Sequence, residues 1–217
     1  MDSQRLPDPL LVRYSAISGI AAPVIFTLTV GILGFIQPGY SHLSQLMSEL
    51  GETGAPYAII MNVLGFGLFG ILIVGFAPGL YFALQQRRTA FAGSAFILAA
   101  GVAFIAMAFL PCDTACVPVT TAGRMHLVLG LEAVIAAVMA ACILAYPMRM
   151  EMYWHGFWIY SLASGVLVLL LLPFFLSVQG YEGMFQRLMV AVILVWTEVI
   201  AIRLYQAAAQ LESGSSS

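Results

Sequence analysis

The chain has 217 residues, 62% of them apolar and only 8% charged, with a formal net charge of -2 and a mean hydropathy of +0.99. A soluble domain carries about 25% charged residues, so this composition excludes a fold with a water-facing surface on all sides. Lysine is absent and the 8 arginines are dispersed. No basic run is present to track a phosphate backbone, and no nucleic-acid partner is expected.

Residues 1–13 form a short polar N-terminal segment, expected in the cytoplasm. Six apolar runs follow: Tyr14–Ile36, Tyr57–Leu84, Ala90–Leu110, Met125–Tyr146, His155–Ser177 and Leu188–Ala208. Each is long enough to cross the bilayer, which takes about 20 residues for ~30 Å of hydrocarbon. Lipid offers no partner to an unpaired backbone group, so a spanning segment is a helix or part of a closed barrel. The runs lack period-two alternation, which selects helices. The expected fold is an all-α polytopic membrane bundle, a single domain over residues 14–208 with six transmembrane helices. Residues 209–217 end in Ser-Gly-Ser-Ser-Ser and read as a flexible linker-like tail.

The breaks are chemically distinct: Gln37-Pro38-Gly39, Gln85-Gln86-Arg87-Arg88, Pro111, Pro147 and Gln179-Gly180. The first run is too long for a signal peptide and ends without a small-residue cleavage pattern. Arg5, Arg13, Arg87, Arg88, Arg149 and Arg203 fall on one side of the six spans, and only Arg124 and Arg187 on the other. The positive-inside rule then predicts a multi-pass protein of the cell (inner or plasma) membrane, with both termini cytoplasmic. Loops 37–56, 111–124 and 178–187 face outward.

The first outer loop contains Leu43, Leu46, Met47 and Leu50 at helical spacing, with Ser41 or Ser44 placed to cap and Gly51 to terminate. This predicts a short amphipathic helix across the outer mouth of the bundle. Its polar face would present His42, Ser44, Ser48 and Glu49, as a lid or as part of a pocket. Asn62, in the second span, calls for a partner on another helix. Gly75 and Gly79 form a GxxxG that favours close helix packing.

Cys112 and Cys116 flank Asp113-Thr114-Ala115 in the second outer loop. Outside the cytoplasm two such cysteines usually pair, and the separation permits a disulfide. Arg124 and His126 open the fourth span. Glu132 lies about 10 Å below its outer start and Glu198 about 16 Å below the start of the sixth, at ~1.5 Å rise per residue. Ionisable groups at such depth face protein or water. They read either as a proton-carrying or ligand-holding pair, or as protonated acids bonded to neighbouring helices. Arg187 and Glu198 are eleven residues apart, close to three turns, and so share a face. His126, Asp113 and Glu132 are metal-ligand types on one side of the membrane. No His-x-x-x-His or Glu-x-x-His spacing accompanies them, so neither a metal nor a cofactor is expected.

The segments Gly39-Tyr40-Ser41, Ser48-Glu49-Leu50-Gly51 and Asn62, then Leu110-Pro111-Cys112-Asp113, Cys116 and Gly123-Arg124-Met125-His126, and later Gly183 with Gln186-Arg187, form a recurring pattern. The chain resembles the prokaryotic membrane family termed domain of unknown function 998 along nearly its whole length. The resemblance implies a six-span membrane protein and carries over no catalytic role.

The reading that follows is a polar pocket open to the outer side, formed by Ser48, Glu49, Asn62, Asp113, Arg124, His126, Glu132, Arg187 and Glu198, sized for a lipid headgroup or small amphiphile. The alternatives are an intramembrane lipid hydrolase or transferase with Ser44 or Ser48, His126 and an acid, a proton-coupled carrier using Glu132 and Glu198, and an accessory subunit of a larger membrane complex. The expected partners are membrane lipids, together with a membrane-protein partner or a second copy of the chain.

Overall fold

A computed structural model describes residues 8–85 and 87–214, with side chains described to Leu211. Arg5, Gln86 and the end of the tail lie outside the described residues. Six helices are long and apolar enough to span a membrane. They are α1 (Pro9–Ile36), α2 (Ala58–Ala83), α3 (Arg88–Phe109), α4 (Thr121–Met150), α5 (His155–Ser177) and α6 (Glu182–Gly214). Among the described residues every regular element is helical.

Several helices extend past the apolar runs because polar residues cap them. Asp8 accepts from the Leu10 N–H at 3.0 Å, and Pro9 at the first helical position needs no N–H partner. Thr120 accepts from the Gly123 N–H at 3.1 Å and starts α4 four residues before Met125. Pro147, read as a terminator, lies inside α4. It removes one backbone bond, but Leu144 and Met148 on either side are wholly buried and Arg149 reaches over the Trp158 ring. Packing outweighs the local loss. The expected short outer helix is present as a single 3-10 helix, Met47–Gly51. Within α2, residues Met61–Leu68 wind as a π-helical stretch.

Each span packs against its neighbours in sequence, and α6 returns to pack on α1, closing a ring. The closest approaches use residues that lack bulk. A Cβ on Gly79 would stand 2.5 Å from Ser15 of α1, and one on Gly75 would stand 3.0 Å from Ser18, so the GxxxG face is the α1–α2 seam. Gly70 and Gly101 bring α2 and α3 together backbone to backbone, and a Cβ on Gly70 would meet the Gly101 carbonyl at 2.6 Å. Nearer the outer end, Phe26, Phe66, Phe69 and Phe104 join α1, α2 and α3 in one aromatic cluster. Phe66 continues it to His126 of α4, with ring centroids 5.6 Å apart.

The end opposite the long loops is closed by cations on aromatic faces. Arg203 lies over Tyr153 at 3.5 Å from the ring centroid and also near Phe157. Arg87 pairs with Glu151 at 2.8 Å.

The α2–α3 crossing yields a stability prediction. Gly101→Leu drives a side chain into Val74 and the Gly70 carbonyl and should destabilise the bundle by about 1–3 kcal/mol. Gly31→Ala, where a Cβ meets nothing within 4 Å, should not. Unfolding midpoints in mixed micelles compare the two.

Candidate functional site

The long loops before α2 and before α4 are held by side chains that bond to backbone. Arg187, in the second turn of α6, is the hub. Its Nη1 donates to the carbonyls of His42 (2.8 Å), Gln45 (2.9 Å) and Gly183 (2.8 Å). Its Nη2 donates to the Tyr40 hydroxyl, and the guanidinium lies 5.5 Å from the Tyr40 ring centroid. Tyr40 in turn donates to the Leu46 carbonyl at 2.9 Å. The Met184 N–H, which the first turn of a helix leaves without an internal partner, donates to Leu43 O at 2.8 Å. Gly183 admits this approach, since a Cβ there would stand 2.2 Å from the Gln45 carbonyl.

These contacts explain why residues 41–46 do not continue the helix. The carbonyls of His42, Leu43 and Gln45, which would close helical turns, are taken by α6. Gln45 accepts from the Ser41 N–H at 2.7 Å and donates to Glu49 Oε2 at 2.9 Å. Glu49 Oε1 accepts from the Leu46 N–H at 2.7 Å, and Gln186 Oε1 from the Met47 N–H at 2.7 Å. Glu49 is only 8% exposed, and both of its carboxyl oxygens accept from donors within the loop. Burial raises the Tyr40 pKa, and Arg187 partly offsets this. His42 is shifted down by desolvation and then by Arg187.

Asn62 finds its partner on the short 3-10 helix of this loop rather than on another span: Nδ2 donates to Gly51 O at 3.0 Å. Its Oδ1 is buried and meets no protein donor. The second loop locks onto the first. Thr53 N–H donates to Cys112 O at 2.9 Å, and Glu52 Oε2 accepts from Ala115 N–H at 2.5 Å. Burial pushes the Glu52 carboxyl up despite that donor. Cys112 and Cys116 lie at disulfide distance, with Cα atoms 5.0 Å apart. Ala115 and Cys116 both adopt positive φ in the tight loop between them.

Asp113 organises the start of α4. Its carboxylate accepts from Val119 N–H (2.8 Å), Thr120 N–H (2.7 Å) and the Thr120 hydroxyl (2.7 Å). The Thr120 bonds are the chief cause holding its pKa below the usual aspartate range. Gly123 leaves it room, since a Cβ there would stand 2.1 Å from Oδ2. Arg124 is exposed at the rim, facing Asp113 only through its charge.

His126, three residues further, is 4% exposed. Its Nδ1 lies 2.7 Å from the Leu110 carbonyl. Its Nε2 is buried without a protein partner.

The structure brings Glu49, Asn62 and Arg187 into the first-loop network, and Asp113 and His126 into the second-loop network. Ser48 is half-buried in the 3-10 helix. Glu132 and Glu198 stay within the bundle, each with Oε2 buried and unpartnered, outside the loop networks. Among the described residues no three His, Cys, Asp or Glu side chains gather to hold a metal. A narrow apolar crevice lies elsewhere, between α4, α5 and α6, lined by Val138, Ala141, Gly165, Val168 and Trp196. Tyr40 and Gln186, which belong to the recurring pattern, complete the networks with Gln45, Glu52 and Thr120, which the sequence did not single out. The Gln45–Glu49 spacing of four is the local signal that pointed to Gln45.

A protein family described as "Protein of unknown function (DUF998)" matches residues 20–203. That range contains every candidate residue named above. No curated protein matches the chain, and no solved structure does.

Two predictions follow from the geometry. Arg187→Met leaves loop carbonyls without donors and should cost about 1–3 kcal/mol, with protease cleavage in residues 40–51 rising in parallel. Limited proteolysis and unfolding midpoints report both. Asp113 has a lower pKa folded than unfolded, so its stabilisation is present above the ordinary aspartate range and is lost as pH falls through the lowered value. Asp113→Asn should lower the unfolding temperature at neutral pH, and the gap from the native chain should close in acid.

Proposed function

The chain belongs to the family described as "Protein of unknown function (DUF998)", and from that premise we propose that it binds the headgroup of a membrane lipid or small amphiphile at the outer rim of its bundle. One observation carries the reading. Beneath the strapped outer loops, buried side-chain atoms of Asn62 and His126 have hydrogen-bonding capacity that no protein atom uses. A buried polar atom without a partner is costly in a bilayer, and such groups mark ligand sites there. Detergent-purified protein should retain specific lipid, identified by mass spectrometry of the extract. Delipidated protein should regain thermal stability when that lipid is added back. Recovery of no enriched lipid, together with an unchanged unfolding temperature on addition, would sink the proposal.

The hydrolase reading has weaker geometric support. His126 Nδ1 is engaged by Leu110 O and its Nε2 meets no hydroxyl, while Glu49 and Asp113 hold loop N–H groups instead of orienting an imidazole.

The proposed orientation places Arg13, Arg87, Arg88, Arg149 and Arg203 with both termini in the cytoplasm, and the two long loops outside. Cys112 and Cys116 then face an oxidising compartment and form a disulfide. A loop this short gives about 2 kcal/mol of stabilisation in the chain-entropy account. In intact cells a membrane-impermeant maleimide should label neither cysteine before reduction and both after a mild impermeant reductant. Labelling without reduction argues against the disulfide, and labelling only after permeabilisation argues against the orientation.

A further inference from the structure

We propose that the outer site takes a hydrogen-bond-donating headgroup, a primary ammonium or a hydroxyl, seated against His126 and Asn62; the inference rests on the lipid-binding reading above. The chemistry of each side chain is settled by the partner it already has. The Leu110 carbonyl can only accept, so the Nδ1 of His126 facing it at 2.7 Å carries the ring proton. In the neutral ring Nε2 is then a bare lone pair, on a side chain 4% exposed, with no protein partner. The Gly51 carbonyl likewise only accepts, so the Asn62 nitrogen faces it at 3.0 Å. This leaves Asn62 Oδ1 as a second buried acceptor without a donor.

Phe66 links the two. It lies four residues after Asn62 in the π-helical stretch of α2, near one full turn on, and its ring meets the His126 ring edge-on. The two side chains therefore offer two acceptors beside an aromatic wall, and the one N–H left over is the second of the Asn62 amide. At His126 Nε2 a phosphate or carboxylate oxygen would set lone pair against lone pair. A quaternary ammonium has no N–H. A hydroxyl supplies the one donor that Nε2 needs, and a primary ammonium has N–H groups for both acceptors.

The test places the full chain in phosphatidylcholine nanodiscs, alone or doped with phosphatidylethanolamine or diacylglycerol, and in phosphatidylcholine nanodiscs with free ethanolamine in the buffer. Native mass spectrometry reads which headgroup is retained. Nitrogen NMR of labelled histidine reads Nε2 directly. The expected result is about tenfold preference for a donor headgroup over phosphatidylcholine, the scale of one buried hydrogen bond, with a shifted Nε2 resonance. His126→Asn keeps an amide donor for the Leu110 carbonyl and deletes the Nε2 acceptor, so the preference should fall to near one while the unfolding midpoint holds. If that variant does not fold, the Nε2 shift on adding each lipid to the native chain decides alone.

A shift with free ethanolamine alone assigns the same chemistry to a soluble amine. Retention of phosphatidylcholine as strongly as the donor lipids, an unchanged preference in His126→Asn, or a single water on Nε2 in every lipid overturns the donor inference while leaving lipid binding intact. Retention of no lipid under any condition removes the lipid-binding reading itself.

Discussion

A loop at the edge of a bilayer must find donors for its carbonyls, and in this protein one guanidinium docks the first loop onto a helix far along the chain. Arg187 reaches from α6 to His42 O, Gln45 O and the Tyr40 hydroxyl. The planar fork of arginine suits several acceptors at once in a way that a lysine ammonium does not. With those carbonyls held, residues 41–46 fold as a turn and the helix is delayed to Met47–Gly51. That places Gly51 where Asn62 can reach its carbonyl. It also places Glu52 and Thr53 where they grip the second loop. The second loop in turn presents the Leu110 carbonyl to His126. The end that holds the two long loops is one connected polar layer, and its geometry traces back to the docking of α6 on the first loop.

The two ends of the bundle use polar side chains differently. At the end holding Arg87, Arg149 and Arg203, cations lie on the rings of Trp158, Tyr153 and Phe157 or pair with Glu151. There the aromatic and cationic groups anchor helices at an interface. At the opposite end two loops interlock through side chains bonded to backbone, and acceptor atoms of Asn62 and His126 have no protein partner.

The number and rough limits of the spans were legible in the amino-acid order, because hydrocarbon thickness imposes length and apolarity on each one alone. The helix starts at Pro9, Thr121 and Glu182 were not, since hydropathy is blind to Asp8 or Thr120 accepting from a first-turn N–H. The outer helix was half-legible. Its apolar spacing is real, yet Arg187, more than 130 residues away in sequence, removes the carbonyls that its first turn needs. Asn62 was expected to meet another helix, and the helix it meets is the short 3-10 helix of the first loop. Glu132 and Glu198 stood out by depth alone, and depth does not decide which neighbour a carboxyl faces.

Composition and periodicity by themselves determined that this chain lives in lipid, crosses it six times as helices, and carries its distinctive polar residues toward one side. Those conclusions need only local chemistry, because a bilayer acts on each segment separately. The pairings of Arg187 with loop carbonyls, Asp113 with the Thr120 cap and Asn62 with Gly51, and the bare lone pair on His126, were decided only by tertiary structure. A hydrogen bond depends on which groups arrive within about 3 Å of one another, and that distance is set by helices closing into a ring.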